Sequence, residues 1–105
     1  MLEGPFKTEV IRDLNIMFGD DIFCIYNDAR ARQGIPDLTL LFRYGFWAML
    51  EGKKSINARQ QPNQAYYIDK FADMCFAAFI SPETKEAVLH ELQQEYETYR
   101  SACIP

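Results

Sequence analysis

Histidine is almost missing from this 105-residue chain, where His90 stands alone. A zinc centre or a histidine-based triad needs partners that the chain does not offer. His90 falls in a polar helical segment and reads as helix surface. Cysteine is scarce as well: Cys24, Cys75 and Cys103 are odd in number and widely spaced. That pattern excludes a disulfide framework and a metal-type cysteine pairing, and it fits a reducing, cytoplasmic compartment. No apolar run reaches the ~18 residues that a membrane span needs. Met1-Leu2-Glu3-Gly4-Pro5 lacks the basic-then-apolar pattern of a secretory signal. Neither a membrane partner nor secretion is expected. Linkers, internal repeats and low-complexity stretches are absent too. With 49% apolar residues the chain has ample material for a core, and a single domain over residues 1–105 is expected.

The formal net charge of −4 argues against a nucleic-acid partner until it is mapped along the chain. Residues 30–59 carry Arg30, Arg32, Arg43, Lys53, Lys54 and Arg59 against only Asp37 and Glu51. The remaining residues are strongly acidic. Phosphate binding follows local clustering rather than total charge, so this basic centre is a candidate contact surface. The plain alternative for any one of these residues is a solvated loop charge.

Hydrophobic periodicity supplies the elements. Pro5 can open a helix at its first position, and Phe6, Val10, Ile11, Leu14, Met17 and Phe18 recur at helical spacing until Gly19-Asp20-Asp21 stops it. Ile22 to Tyr26 is a short apolar run of strand type. After a polar loop, Gly34 to Phe42 and Phe46 to Lys53 form two arms of a β-hairpin turning at Arg43-Tyr44-Gly45. Pro62 opens a second helix, with Tyr67, Ile68, Phe71 and Met74 or Cys75 on one face. Phe76 to Ile80 is a further strand. Ser81 is expected to cap a third helix with Pro82 at its first position, and Val88, Leu89, Leu92, Tyr96 and Tyr99 give that helix its stripe. The order α-β-β-β-α-β-α predicts an α/β fold, a small mixed β-sheet flanked by helices.

The hairpin concentrates the chemistry. If it turns near Tyr44 and Gly45, Asp37 falls opposite Glu51 or Gly52. Opposed residues of an antiparallel pair lie ~4.5–5.5 Å apart. Two carboxylates at that spacing repel unless a cation lies between them, and Mg²⁺ takes such oxygen ligands. Lys53, two residues after Glu51, shares its face of the strand, where an ammonium can position a water and hold developing negative charge on a phosphate. Lys54 is the rival, but on a regular strand it points away from Glu51. Hairpins also end in solvated charges without function. Against that stands the apolar return arm from Phe46 to Leu50, which reads as an inner strand covered on both faces.

Gln64 lies three, four and seven positions before Tyr67, Ile68 and Phe71 and so shares their buried face. A buried amide needs a partner. Either a backbone carbonyl or the carboxylate–lysine cluster can supply it. Glu9, three residues after Phe6 at the edge of the first helix's apolar stripe, reads on its own as a solvated residue.

Gly34-x-Pro36-Asp37, then Glu51-x-Lys53, then Gln64 near the start of the next helix resembles the PD-(D/E)xK nuclease superfamily. Within it the chain is most similar to the small virus-type replication-repair nucleases, the VRR-NUC domains, which include stand-alone phage proteins with Holliday junction resolvase-like activity. The likeness runs from about Pro5 to Ile80. It implies a restriction-endonuclease-like core and a DNA endonuclease that hydrolyses phosphodiester bonds with Mg²⁺ or Mn²⁺. Its substrate would be branched or flapped DNA, in repair or recombination, inside a host cell if the source is viral. By the same resemblance, Asp37, Glu51 and the carbonyl of Gly52 would bind the metal, and Glu9 would hold metal-bound water. Lys53 would orient or activate the attacking water, and Gln64 would orient Lys53 or a phosphate. Asn27, Arg30 and Arg32 would lie beside the DNA, with Lys54 and Arg59 as further contacts. Gly52 departs from the pattern, which favours an apolar residue there, and its small size could admit a bulge. A homodimer would suit a four-way junction, which needs two cuts. The rival from another class is a non-catalytic DNA-binding or assembly protein on the same fold.

Overall fold

The computed structural model describes residues 2–28, 30 and 32–104. Helix α1 (Gly4–Phe18) opens with proline in its first two positions and ends where the amide of Gly19, at φ +54°, returns to the carbonyl of Asn15. Its apolar stripe buries Val10, Leu14 and Phe18, with Phe6, Ile11 and Met17 packed partly against the same core. A single 3-10 turn, Gly19–Asp21, leads into strand β1 (Ile22–Tyr26). Strands β2 (Leu38–Phe42) and β3 (Trp47–Gly52) are the hairpin arms, joined by the 3-10 turn Arg43–Gly45. Helix α2 (Pro62–Ala72) crosses from β3 to strand β4 (Phe76–Ile80), and helix α3 (Lys85–Cys103) follows. The expected α-β-β-β-α-β-α order is observed.

The sheet runs β1-β2-β3-β4. β1–β2 and β2–β3 are antiparallel, while β3–β4 is parallel, as a helical crossover requires. Alternation of side chains divides the sheet into two faces. On one, Leu38, Leu40, Phe42, Ala48, Leu50 and Ile80 join the stripes of α1 and α3 in the main core. On the other, α2 covers β3 and β4, burying Ile68 and Met49. β3 is therefore the inner strand covered on both faces, from Ala48 to Gly52, whereas Trp47 at its start is 55% exposed.

Two boundaries differ from the sequence reading. Ser81 does not cap α3. Its amide and hydroxyl both meet Oγ1 of Thr84, at 2.9 and 3.0 Å, and the Thr84 amide returns to the Ser81 carbonyl. This local side-chain turn outcompetes an early helix start, so α3 begins at Lys85. Met74 lies outside α2 and is 69% exposed, because the chain turns back after Ala72 with the Met74 and Cys75 amides both on the Phe71 carbonyl. Cys75 takes the half-buried position instead.

Candidate active site

The β2–β3 pairing sets the site. Leu38 stands opposite Leu50, so one residue further out Asp37 meets Glu51. Oε1 of Glu51 accepts the Asp37 amide at 3.1 Å, and Oδ2 of Asp37 accepts the Gly52 amide at 2.8 Å. The two carboxylates thus knit the open end of the hairpin to itself. Glu51 is only 2% exposed. Burial first, and then the neighbouring Asp37 carboxyl, push its pKa up to about 8.

Gln64 reaches this pair from α2. Its Nε2 donates to Oε2 of Glu51 at 2.5 Å, while its Oε1 accepts the Gln61 amide at 3.0 Å in a reciprocal capping box. The capping bond fixes which end of the amide faces the cluster. The carboxylate, rather than a backbone carbonyl, is the partner of Gln64's donor.

Lys53 continues β3 through its amide, which bonds the Ile80 carbonyl at 2.8 Å. Its Nζ lies 5.6 Å from the ring centre of Phe79, the cross-strand partner of Glu51, and donates to the Ile56 carbonyl at 3.1 Å. The lysine is therefore on the α2 side with Glu51, its ammonium resting on the loop that follows. Lys54 is exposed.

The remaining expected residues divide. Glu9 is held elsewhere: Nζ of Lys85 bonds Oε1 of Glu9 at 2.9 Å and Oδ2 of Asp13 at 2.6 Å, tying α1 to the start of α3. Among the described residues, no three His, Cys, Asp or Glu side chains gather into a group able to hold a metal ion. Asn27 serves as a clamp. Its Nδ2 donates to the Pro36 carbonyl at 2.9 Å and to Oγ1 of Thr39 at 2.8 Å, and its amide bonds the Asp37 carbonyl. Its donors thus hold the segment that carries Asp37. Arg30 pairs with Asp28 at 3.2 Å on the surface. Arg32 and Arg59 are exposed. Arg43 drops out of the basic centre, since it lies at the far end of β2, about 20 Å from Asp37 at ~3.3 Å per strand residue, paired with Asp21.

One contributor, Leu2, carried no sequence signal. Leu2 is buried, and its amide donates to Oδ2 of Asp37 at 2.9 Å. Its side chain fills the space over Gly52, where an added Cβ would come within 2.6 Å of Leu2 Cγ and 2.7 Å of its backbone nitrogen. Gly52 therefore marks a close backbone approach, and the strand stays paired through it without the bulge that glycine could have admitted. Gly34 is the second close approach. At φ +87° its missing side chain lets the Asn63 Cβ pack where a Cβ would stand at 2.4 Å, docking the loop before Asp37 onto the start of α2.

The donors at the hairpin's end are hard oxygens. Mg²⁺ commonly takes only one or two protein carboxylates and keeps several waters, so an Asp37–Glu51 pair suits it without a third carboxylate. The fold is that of VRR_NUC domains. A solved "VRR_NUC domain" superposes with a TM-score of 0.60 at 19% identity, covering 79% of this chain and 92% of that one. A "VRR_NUC domain protein" superposes at 0.57 with 20% identity, covering 89% of each chain. No protein-family model and no curated protein matches the sequence. Among the described residues, no helix is long and apolar enough to cross a membrane.

Proposed function

We propose that the protein is a metal-dependent DNA endonuclease that hydrolyses phosphodiester bonds, selective for branched structures such as a four-way junction or a flap. The observation that carries this reading is the chain of contacts from Gln64 through Glu51 to Asp37 at one end of a VRR_NUC-type sheet. Asp37 and Glu51, with the Gly52 carbonyl, would hold Mg²⁺ or Mn²⁺. When bound, such an ion supplies Lewis-acid stabilisation of the charge on phosphorus and lowers the pKa of a bound water.

The chain's own residues do the rest. Lys53, swinging from the Ile56 carbonyl, places its ammonium beside the attacked phosphate and orients the water. Gln64 keeps Glu51 from turning and would steady its ionised form with one amide proton. Lys54, Arg30, Arg32 and Arg59 contact phosphates as exposed cations. A role for Glu9 in holding metal-bound water requires Lys85 to release it. The three thiols are free and unpaired, which suits work in the cytoplasm, in a host cell if the source is viral.

A second copy would bring the second cut of a junction. The β1 edge supports this: Ile22 to Asn27 carry no charge, and Phe23, Leu41 and Trp47 form one cross-strand row whose Phe23 and Trp47 are 68% and 55% exposed. Edges without charge or proline invite pairing.

The test is incubation of purified protein with labelled junction, flap, linear duplex and single-stranded DNA, with and without Mg²⁺ or Mn²⁺. Metal-dependent cuts near the branch are expected. Binding of all four substrates without cleavage in either metal would leave the DNA-binding or assembly reading in place.

A further inference from the structure

Tyr26 and Lys7 remain outside the roles assigned above, and both line a cleft with Asp37, on the α1 side of the sheet. Tyr26 is the last residue of β1 and is 54% exposed. The next residue, Asn27, bonds the Asp37 carbonyl through its amide, so the Tyr26 backbone is anchored one residue from the segment that carries Asp37. Lys7, on the first turns of α1, holds its Nζ 4.4 Å from the centre of that ring. The pair borders a cleft of about 270 Å³ whose lining includes Asp37, Asn27, Arg30 and Leu2. It also borders a second, wider cleft on the far side, of about 640 Å³, formed with Gly4, Pro5, Thr8 and Ile11. Tyr26 and Lys7 thus line both clefts, one reaching Asp37 and the other bounded by the start of α1.

A half-exposed tyrosine beside a lysine offers two kinds of contact. The ring offers a π-face, and the ammonium offers a phosphate contact. A base inside a duplex has both faces occupied by its neighbours, so it cannot use the ring. A base outside the stack can, and stacking on an aromatic side chain is the general means of holding single strands. We infer that Tyr26 and Lys7 form a subsite for one unpaired nucleotide next to the scissile phosphate, with the base on the Tyr26 ring and its phosphate on Lys7. The inference rests on the nuclease reading for the position of the cut and adds the reason for a preference for flaps, frayed ends or open junction centres.

The test uses the full chain and two DNAs with the same duplex, one carrying a single-stranded flap and one fully paired. The flap nucleotide nearest the cut carries 2-aminopurine, whose emission falls on stacking. Tyr26→Ala should weaken flap binding about thirtyfold, the middle of the range for one stacked base, lose the quench, and leave duplex binding within about twofold. Tyr26→Phe should behave as the parent. Tyr26→Leu, which keeps the apolar cover of β1, should behave as Tyr26→Ala if folding is intact by thermal melting. Lys7→Ala should flatten the salt slope on the flap by about 0.7, one single-strand phosphate contact. Equal losses on flap and duplex, or a normal quench in Tyr26→Leu, would overturn the subsite while the nuclease reading stood. A parent that shows the Tyr26-dependent quench but cuts neither DNA in Mg²⁺ or Mn²⁺ would overturn the nuclease reading and leave the subsite. A parent that binds neither DNA would overturn both.

Discussion

Gln64 donates its amide proton to Glu51 across 2.5 Å, and this one bond joins helix α2 to the inner strand that carries the candidate metal site. The amide is held from behind by the Gln61 backbone, so it meets Glu51 already oriented. Glu51 in turn holds the Asp37 amide, and Asp37 holds those of Gly52 and Leu2. Helix, hairpin and the chain's first residues converge on two carboxyl groups. Small displacements of any partner should therefore be read out at the site.

The first prediction follows from the raised pKa of Glu51, about 8 without metal against an ordinary 4.5. The folded chain then binds a proton more tightly than the unfolded one. Between about 4.5 and 8 the unfolded state gives up that proton while the folded state keeps it, so metal-free stability falls as pH rises through this window. Glu51→Gln keeps the shape and removes the titration. Thermal melting in a chelator should show the parent losing stability from pH 5 to pH 8 while Glu51→Gln stays flatter and melts higher at pH 8. The same variant should not cleave DNA in Mg²⁺. Metal binding by the parent at pH 6.5 should release about one proton, measurable by calorimetry in two buffers of different ionisation enthalpy.

The second prediction separates chemistry from grip. Lys53→Ala should cut DNA at least a hundredfold more slowly, within the span of one lost electrostatic donor at a transition state. Its DNA affinity should change less than about threefold, because one phosphate contact is a small share of the interface. Lys54→Ala, altering an exposed side chain, should keep most of the rate. Single-turnover rates and binding isotherms on one substrate decide it. Equal rate losses in the two variants would show that the face of β3 does not select the lysine.

Much of this arrangement was legible in the sequence, for identifiable reasons. Apolar runs bounded by polar loops gave β1 and β4 their limits, and helical spacing put Gln64 on an inward face where its amide needed a partner. Hairpin arithmetic set Asp37 against Glu51 or Gly52, and the strand register places it against Glu51. Contacts that depend on backbone approach were hidden. Nothing about a leucine at position 2 indicates that its amide will reach Asp37, and Gly52 read as a departure that could admit a bulge rather than as room for that leucine. Lys7 counted towards an acidic flank because charge was mapped along the chain, whereas α1 folds it back beside Asp37. Arg43 failed the opposite way, near in sequence yet a full strand away in space. The start of α3 was misplaced because Ser81 and Thr84 satisfy each other locally.

The third prediction concerns the two close approaches. In Gly34→Ala the new Cβ meets Asn63 Cβ at 2.4 Å, at a φ of +87° that side chains rarely adopt. The backbone cost alone is about 1–2 kcal/mol, and a loss of that size lowers the melting temperature by roughly 4–8 °C per kcal/mol in a domain of 60–100 residues. Relieving the clash pushes α2 away from the hairpin, so the Gln64–Glu51 bond should lengthen and cleavage should fall with stability. Gly52→Ala meets the Leu2 backbone instead and should displace the chain's first residues while α2 keeps its seat. Amide exchange distinguishes the two: faster exchange at the start of α2 in Gly34→Ala, and at Leu2 and Gly52 in Gly52→Ala. Parent-like exchange in both would show that these contacts do not set the site.

The last prediction tests the basic surface, which is smaller than the sequence suggested now that Arg43 pairs with Asp21 at the opposite end of β2. Arg30 and Arg32 stand in the loop before Pro36-Asp37, and the side chain of Arg30 is 92% exposed, paired with an Asp28 whose side chain is 55% exposed. Such a surface pair is worth little and yields to a phosphate. Duplex affinity should therefore fall steeply with salt despite the acidic total charge. Arg30→Ala with Arg32→Ala should weaken binding across sequences and reduce the slope by up to about 1.8, at ~0.9 per duplex phosphate contact. Asp28→Asn should act in the reverse sense, releasing Arg30 and tightening binding at low salt. A parent slope near zero would show that no phosphates are gripped here, and a double variant with the parent's slope would move the contact to Lys54 and Arg59.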